Sequence, residues 1–428
     1  MTARFSKLGR KLAGPSGITE LMKDLGEALS VSRDFRMLGG GNPAHIPAVQ
    51  AVWRSRMRAL LDDGPALDRA LANYDPPQGS PSFIEALVEC FNTRYGWTLK
   101  PGNVAITNGS QNSFFYLLNM LAGEQEGGSR RRMMLPLCPE YIGYADQGVA
   151  SDLFVSARPR IELIGDHGFK YHVDFDGLPW GDDVAALCAS RPTNPTGNVL
   201  TDDEVRRLAG QARERGVPFI IDNAYGAPFP DIIFTEAEPW WDEHTVLSLS
   251  LSKLGLPGLR TGIVIAREDI VDGIASMNAV VSLATGNLGQ VLVEPLIRDG
   301  SLLELSRSVI RPFYRGKSEQ AQAWVRESFG ADLPYRVHKS EGALFLWLWF
   351  KDLPIPAAEL YRRLKQRKVL VIPGHYFFFG LDDQWPHRDE CIRVTFSQPD
   401  AVVREGIEII ADEVRRAYAG HAAPAQRA

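Results

Sequence analysis

The central part of the sequence alternates short apolar, β-branched runs with segments of helical periodicity. The runs predict strands at residues 103–107, 132–137, 184–189, 217–222, 246–251 and 262–266. Such alternation is typical of a mostly parallel sheet, because parallel neighbours need a long crossover connection that is usually helical. We therefore expect an α/β fold whose sheet lies inside roughly residues 50–300.

The length of 428 residues predicts a second domain, since a single core rarely grows beyond about 250–300 residues. A long helical stretch at 301–329 leads into apolar runs at 343–350, 369–372 and 392–396, and a last helix is expected near 401–418. We expect four parts: an N-terminal segment (1–47) that packs with the small domain or crosses to a partner, a large domain (48–300), a small domain (301–418) and a disordered tail (419–428).

Charge and composition exclude several classes of protein. A formal net charge of −5 gives no basic excess to attract nucleic acid, and the longest apolar run, 343–350, is too short to span a membrane. Four widely separated cysteines and the absence of metal-ligand or Walker-type phosphate-loop spacing argue against a disulfide framework, a metal site or nucleotide chemistry. We expect a cytoplasmic protein, with a transit peptide in the basic first 14 residues as the minor alternative.

A lysine with chemical potential follows the strand predicted at 246–251. Lys253 comes after Ser250 and Ser252, and two glycines, a proline and Arg260 follow it within seven residues. Hydroxyl groups, flexible backbone and a guanidinium beside a lysine fit a lysine nucleophile next to a phosphate site. The alternative is a lysine on a solvated turn.

Other polar residues also follow predicted strands, where open α/β sheets bind ligands. Asp222 ends a buried strand, and a carboxylate there needs a cation such as a protonated pyridine nitrogen. Asn194 lies in a loop fixed by two prolines, and Ser110 and Gln111 begin a helix, where anions bind. Taken singly, these residues would be helix caps or ordinary turn residues.

In their order along the chain, these motifs resemble the aspartate-aminotransferase superfamily of fold-type-I enzymes, which use pyridoxal 5′-phosphate. The whole chain apart from its tail is similar to the valine–pyruvate aminotransferase family, notably at 73–75, 139–144, 190–197, 250–258 and 345–350. The resemblance implies a large domain with a mostly parallel seven-stranded sheet flanked by helices, and a smaller α+β domain. The sequence departs from the family pattern at Phe379, where a proline is usual, and at 282–290; both places are expected to line the pocket or its lid.

The resemblance also implies roles for matching residues. Lys253 would form a Schiff base with the cofactor and move the substrate's Cα proton, with Asp222 at the ring nitrogen, Tyr225 and Asn194 at the ring hydroxyl, and Tyr141 stacked on the ring. The phosphate would be held by Ser110, Gln111, Ser250, Ser252, Arg260 and, from the neighbouring subunit of a homodimer, Tyr74. The substrate carboxylate would be held by Gly41, Asn194 and Arg393.

The implied activity is ping-pong transamination of small aliphatic amino acids, such as alanine, valine and 2-aminobutyrate, with 2-oxo acids. Arg393 is the one expected charged clamp, and without the resemblance a late-strand arginine would more often be a surface ion pair. Two alternatives stay open: a fold-type-I lyase of the C–S lyase or aminocyclopropane-carboxylate-synthase kind, and, more remotely, an aminotransferase-like domain of a transcriptional regulator.

Overall fold

The computed structural model describes residues 4–14, 16, 17, 19, 23, 26, 34–382 and 384–420. Much of the predicted N-terminal segment and residues 421–428 of the predicted disordered tail therefore lie outside the described residues. Among the residues described, no helix combines the length and apolar character needed to cross a membrane.

Strands and helices alternate through most of the chain. The strands are β1 (Arg36–Met37), β2 (Val104–Thr107), β3 (Gly123–Glu124), β4 (Arg130–Leu135), β5 (Phe154–Ser156), β6 (Arg160–Ile164), β7 (Gly168–His172), β8 (Val184–Ser190), β9 (Phe219–Asp222), β10 (Thr245–Ser250), β11 (Gly262–Ile265), β12 (Tyr335–His338), β13 (Phe345–Phe350), β14 (Val369–Leu370), β15 (Ile372–Pro373) and β16 (Cys391–Thr395). The α-helices are Lys7–Leu12, Pro47–Asp62, Gly64–Ala72, Pro81–Tyr95, Ser110–Leu121, Ile142–Ala145, Asp202–Glu214, Glu268–Ser282, Leu288–Arg298, Ser301–Leu305, Arg311–Phe329, Ala357–Gln366 and Asp400–Ala419.

The large sheet has the strand order β2-β11-β10-β9-β8-β4-β3, and β5 also pairs with β4. All pairings among β10, β9, β8, β4 and β5 are parallel, whereas β11 runs antiparallel to both of its neighbours. The six strands predicted for this region are present, each within two residues of its predicted bounds. The two-residue β3 makes the sheet eight-stranded rather than seven-stranded.

Both faces of the large sheet are buried. Neighbouring residues of one strand, such as Ile220 and Ile221 of β9, belong to two different core clusters. The same alternation is seen in β10 at Val246 and Leu247. A strand covered on both faces needs apolar residues at successive positions, which explains the continuous apolar runs in the sequence.

The second sheet has the order β15-β16-β13-β12-β7-β6. Its strands β6 and β7 come from residues 160–172, inside the range predicted for the large domain, and β7 joins the sheet by parallel pairing with β12. The sheets therefore do not divide at a single point near residue 300, and the domain boundaries themselves stay a prediction.

Two predicted elements of the second half are divided in the structure. The run at 369–372 forms two short strands, β14 paired with β1 and β15 paired with β16. The helical stretch at 301–329 contains a π-helical turn, Ser306–Ile310, just before Arg311–Phe329. Pro312 explains this interruption, because it has no N–H to donate to residue 308 and its ring crowds the preceding turn.

Candidate active site

A cavity of about 1070 Å³ lies at the carboxyl ends of β8, β9 and β10 and reaches the second sheet. It brings together all but one of the residues predicted for the site: Gly41, Ser110, Gln111, Tyr141, Asn194, Asp222, Tyr225, Ser250, Ser252, Lys253, Arg260 and Arg393. The exception is Tyr74, whose residue surface is 81% exposed. Its predicted contact would require a neighbouring subunit.

Lys253 lies in a 3₁₀ turn, Ser252–Leu254, immediately after β10. Its Nζ donates to the carbonyl of Gly41 at 2.7 Å and lies 5.1 Å from the centre of the Tyr225 ring. Burial lowers the pKa of Lys253 to about 8, and the positive charge of Arg393 contributes to the lowering. About a tenth of the amine is therefore unprotonated at pH 7 and available as a nucleophile, far more than for an ordinary lysine.

Asp222 ends β9 with its carboxyl group at the cavity. One oxygen accepts a hydrogen bond from the Tyr144 hydroxyl, and the other accepts the backbone N–H of Ala224 at 2.9 Å. Burial raises the pKa of Asp222, while these hydrogen bonds and the charge of Lys253 oppose the rise. The site is thus ready for a cation that would hold Asp222 ionised.

The start of the helix Ser110–Leu121 and Arg260 lie close together as a candidate anion cradle. Gly109 precedes the helix with φ +86°, and a Cβ there would lie 2.3 Å from a guanidinium nitrogen of Arg260. A Cβ on Gly262 would lie 2.6 Å from the backbone nitrogen of Ser110. Glycine at both positions lets a guanidinium and the first N–H groups of a helix, which lack intrahelical acceptors, come close together.

Hydroxyl groups and an aromatic ring border the cradle. The Ser250 hydroxyl lies 3.0 Å from that of Ser252 and accepts the backbone N–H of Ser252 at 3.1 Å. The Tyr141 hydroxyl lies 3.4 Å from Gln111 Oε1, and a Cβ on Gly143 would meet the Tyr141 ring at 2.3 Å. The small residue at 143 therefore leaves the space that this ring occupies.

Arg393, on β16, carries the cationic side chain on the second-sheet side of the cavity, and it is 2% exposed. Its guanidinium donates to Asn194 Oδ1 at 2.6 Å and to the carbonyl of Gly39 at 2.7 Å. It also lies 4.1 Å from the centre of the Phe345 ring. Burial lowers the pKa of Arg393 to about 10, so the group stays charged at neutral pH.

Two expectations about this region concern Gly41 and the departures from the family pattern. The carbonyl of Gly41 accepts from Lys253, and Gly39 supplies the carbonyl beside Arg393, so the contact of Gly41 with a substrate carboxylate stays a prediction. Phe379 and the segment 282–290 were expected to line the pocket or its lid, and neither is among the residues lining the cavity. Phe379 packs edge-on against Phe154, with ring centres 5.0 Å apart, because its position lies over β5.

The sequence did not indicate several residues that support the site. Glu140 and Tyr144 are 1% exposed: the Tyr144 hydroxyl donates to Asp222, and Glu140 accepts from Ser190. The centre of the Phe377 ring lies 5.4 Å from the Arg393 guanidinium. Glu140 lies between a proline and Tyr141 in a stretch that carries the family resemblance, so its position was visible. Its burial was not, because glutamate is usually exposed.

Comparison with known proteins places this geometry in a family. The family model described as "Aminotransferase class I and II" matches residues 168–410, more than half of the chain. The valine–pyruvate aminotransferase of Escherichia coli K12 is 49% identical over 415 residues, which cover 97% of this chain and 99% of that protein.

Solved structures agree with this match. A putative amino-acid aminotransferase from Psychrobacter arcticum has a TM-score of 0.95 at 44% identity, over 98% of this chain and 100% of the other. The valine–pyruvate aminotransferase of Salmonella typhimurium has a TM-score of 0.87 at 48% identity, over 94% and 99%. These comparisons confirm the predicted fold class and resemblance: the chain belongs to the class I and II aminotransferase family.

Proposed function

We propose that this aminotransferase binds pyridoxal 5′-phosphate in the cavity and exchanges amino groups between small aliphatic amino acids and 2-oxo acids, with valine and pyruvate as its characteristic pair. The observation that carries the proposal is the position of Lys253. Its amine has a lowered pKa and shares one cavity with a buried carboxylate, an anion cradle and a buried arginine.

The residues present fit the proposed cofactor. Gly109 and Gly262 leave room for the close approach of Arg260 to the helix N-terminus, which suits a phosphate group. Asp222 offers a carboxylate for a ring nitrogen, and Tyr141 and Tyr225 offer an aromatic face and a hydroxyl. When bound, pyridoxal 5′-phosphate supplies an aldehyde that condenses with amines and a ring that withdraws electrons from the substrate Cα.

Each of the protein's own groups in the cavity has a separate role in the proposed reaction. Lys253 would be the nucleophile that holds the cofactor, and its amine would move the proton at the substrate Cα. Asp222 would supply the negative charge that favours a protonated ring nitrogen. Arg393 and Asn194, which are hydrogen bonded to each other, would hold the substrate carboxylate and so fix the orientation of the substrate.

The charges lining the cavity favour neutral side chains. Lys253, Arg260 and Arg393 have the roles given above. A further lining lysine, Lys317, donates to Asp400 at 2.6 Å and to the carbonyl of Gln398 at 2.7 Å. Because Asp400 already neutralises it, Lys317 is a poor partner for a second substrate carboxylate. This agrees with the name of the Escherichia coli relative.

We also propose that the enzyme acts as a cytoplasmic homodimer in which Tyr74 of each subunit reaches the phosphate of the other. Tyr74 is 81% exposed, and the carbonyl of Asn73 accepts from Asn287 at 2.9 Å. Exposed apolar side chains occur on the two segments that this hydrogen bond joins: Leu71 on one, and Val280, Val281 and Leu283 on the other. An apolar surface of this kind is typical of protein–protein contacts.

A donor-by-acceptor activity panel on the purified protein tests the proposal. Alanine, valine and 2-aminobutyrate, paired with pyruvate or 2-oxoisovalerate, should give a new amino acid and a new 2-oxo acid in equal amounts. Overlap among these donors is expected, since one methylene changes binding by only about 1–3 kcal/mol. Aspartate outperforming alanine would contradict the proposed substrate class, and ammonia release from cysteine-type donors would indicate a lyase.

A further inference from the structure

We infer that Glu140 holds a proton on behalf of Asp222, and that the two carboxyl groups exchange this proton through two intervening hydroxyl groups. The catalytic meaning of the inference rests on the proposed function, because it takes Asp222 to be the partner of a cofactor ring nitrogen. The proton itself is a property of this chain's own residues. Glu140 acts through Asp222 and is a positioning residue.

Glu140 is a buried glutamate surrounded by hydrogen-bond donors. It is 1% exposed, and it lies next to Tyr141, whose ring borders the cavity. The backbone N–H of Ser190 donates to one carboxyl oxygen at 2.7 Å. The other oxygen lies 2.6 Å from the Ser190 hydroxyl and accepts the N–H of Tyr141 at 3.1 Å.

Two hydroxyl groups connect Glu140 to Asp222. The Ser190 hydroxyl that contacts Glu140 lies 3.4 Å from the hydroxyl of Tyr144. The Tyr144 hydroxyl is hydrogen bonded to Asp222. Four side chains thus form one row from a carboxyl group behind the cavity to a carboxyl group at its surface.

Counting hydrogens shows how many protons the row accommodates. With both carboxyl groups ionised, Ser190 donates to Glu140 and Tyr144 donates to Asp222, so no hydrogen lies between the two hydroxyl oxygens. When the extra proton is on Glu140, the protonated carboxyl group donates to the Ser190 hydroxyl, and the Ser190 hydroxyl donates to that of Tyr144. When the extra proton is on Asp222, all three hydrogen bonds have the opposite direction: Asp222 donates to Tyr144, Tyr144 to Ser190, and Ser190 to Glu140. The row therefore accommodates one extra proton, at either end.

Transfer between the ends is balanced. Glu140 loses an O–H bond, the hydroxyl oxygens of Ser190 and Tyr144 each form one O–H bond as another breaks, and Asp222 gains an O–H bond, so no electron pair leaves the row. Glu140 loses the proton that Asp222 gains, through the hydroxyls of Ser190 and Tyr144. No co-reactant is needed.

Burial and charge favour Glu140 as the resting place. Burial raises the pKa of Glu140 to about 8 against the opposing effect of its hydrogen bonds from Ser190 and Tyr141, and the negative charge of Asp222 adds to the rise. The positive charge of Lys253 lowers the pKa of Asp222 against the effect of its burial. The titratable groups around the two carboxyls, among the described residues, are Tyr141, Tyr144, Cys188 on β8, Tyr225 after β9, and Lys253 after β10. Below pH about 8, Glu140 is the protonated partner.

This arrangement leaves one negative charge on the two buried carboxyl groups and places it on Asp222, at the cavity. If both carboxyl groups were ionised, each would carry the desolvation free energy of a buried charge, and the two charges would repel each other. A cation bound next to Asp222 stabilises the negative charge on Asp222, so the shared proton is then held entirely by Glu140.

Infrared spectroscopy of the full-length protein tests the inference. Wild type should show a protonated-carboxyl C=O band at pH 7 that disappears as the pH rises through about 8, and Glu140→Gln should lack it. Glu162→Gln, at an exposed glutamate, should keep it. A wild type without such a band, or a Glu140→Gln variant that retains it, would overturn the inference.

Adding pyridoxal 5′-phosphate tests the connection to Asp222. In wild type the Glu140 band should intensify, whereas in Tyr144→Phe, which lacks the bridging hydroxyl, it should not change. An equal increase in that variant would overturn the exchange path. If Glu140→Gln does not fold, Ser190→Ala keeps both carboxyl groups and should also abolish the increase. Because the pH-dependent band is measured without cofactor, failure of cofactor binding would be recognised separately.

Discussion

At the scale of single residues, the chemistry depends on Lys253. Lys253→Ala should abolish both turnover and the visible absorbance gained on mixing with pyridoxal 5′-phosphate, because no amine remains to hold the cofactor. Lys351→Ala, at an exposed lysine, is the matched control and should behave as wild type. A borohydride-stable adduct in Lys253→Ala with near-normal turnover would disprove the assignment.

The lowered pKa of Lys253 gives this residue a pH signature. Only the unprotonated amine attacks an aldehyde, and burial lowers the pKa to about 8. The rate of cofactor uptake by apoenzyme should therefore rise with pH up to about 8 and then level off. A rate that keeps rising toward pH 10 would indicate an ordinary exposed lysine.

Arg393 should contribute through geometry as well as charge. In the structure, the planar guanidinium of Arg393 donates to Asn194 and to the carbonyl of Gly39. Arg393→Lys keeps the positive charge but loses this planar group with its paired donors. A charged hydrogen bond contributes about 1.5–3 kcal/mol, so kcat/KM for alanine should fall about 10- to 100-fold. The cofactor spectrum should stay unchanged. Steady-state kinetics with an unchanged kcat/KM would show that Arg393 does not hold the carboxylate.

At the scale of elements, a buried ion pair fastens the loop that presents Asn194. Lys170 on β7 pairs with Glu341 and donates to Asn198 Oδ1 at 2.9 Å, and Glu341 accepts the N–H of Val199 at 3.1 Å. Both charged residues are 4% exposed. The pair thus ties the second sheet to the loop that follows β8.

Breaking this pair should be costly. Lys170→Met leaves Glu341 buried with only Lys339, at 2.9 Å, as a cationic partner, so the free energy of unfolding should fall by about 3 kcal/mol. The double variant Lys170→Met, Glu341→Gln should recover part of this loss, because no charge is left unpaired. Urea denaturation measures both, and equal losses in the single and double variants would rule out the pairing.

Elements differ in how far the sequence predicts them. The strands of the large sheet could be predicted because burial on both faces makes them continuous apolar runs. β6 could not, since most of its residues are exposed and no such run marks it. Most candidate site residues follow strands and could be predicted from motifs, whereas Glu140 and Tyr144 depend on contacts between distant segments that no local pattern records.

At the scale of the whole molecule, the proposed dimer should complete the phosphate site. Val280→Glu places a charge in an exposed apolar patch and should convert the dimer to monomer, weakening cofactor binding through the loss of the partner's Tyr74. Leu163→Glu, at an exposed leucine on β6, is the control and should stay dimeric. Sedimentation velocity measures both, and a fully active monomer would end the proposal.

The glycine-rich segment near residue 40 contacts both the proposed cofactor-binding lysine and the proposed substrate-binding arginine. Two residues apart, the carbonyls of Gly39 and Gly41 accept from Arg393 and Lys253. Occupying either cation changes what the segment is bonded to, so the two binding events share one free energy of coupling. The factor by which the cofactor changes the affinity for 3-methylbutanoate, which has valine's carbon skeleton without its amine, must equal the factor by which 3-methylbutanoate changes the affinity for the cofactor. Calorimetric titrations in both orders would give the size of this factor. A factor of one would mean that the two ligands bind independently and that the segment does not couple them.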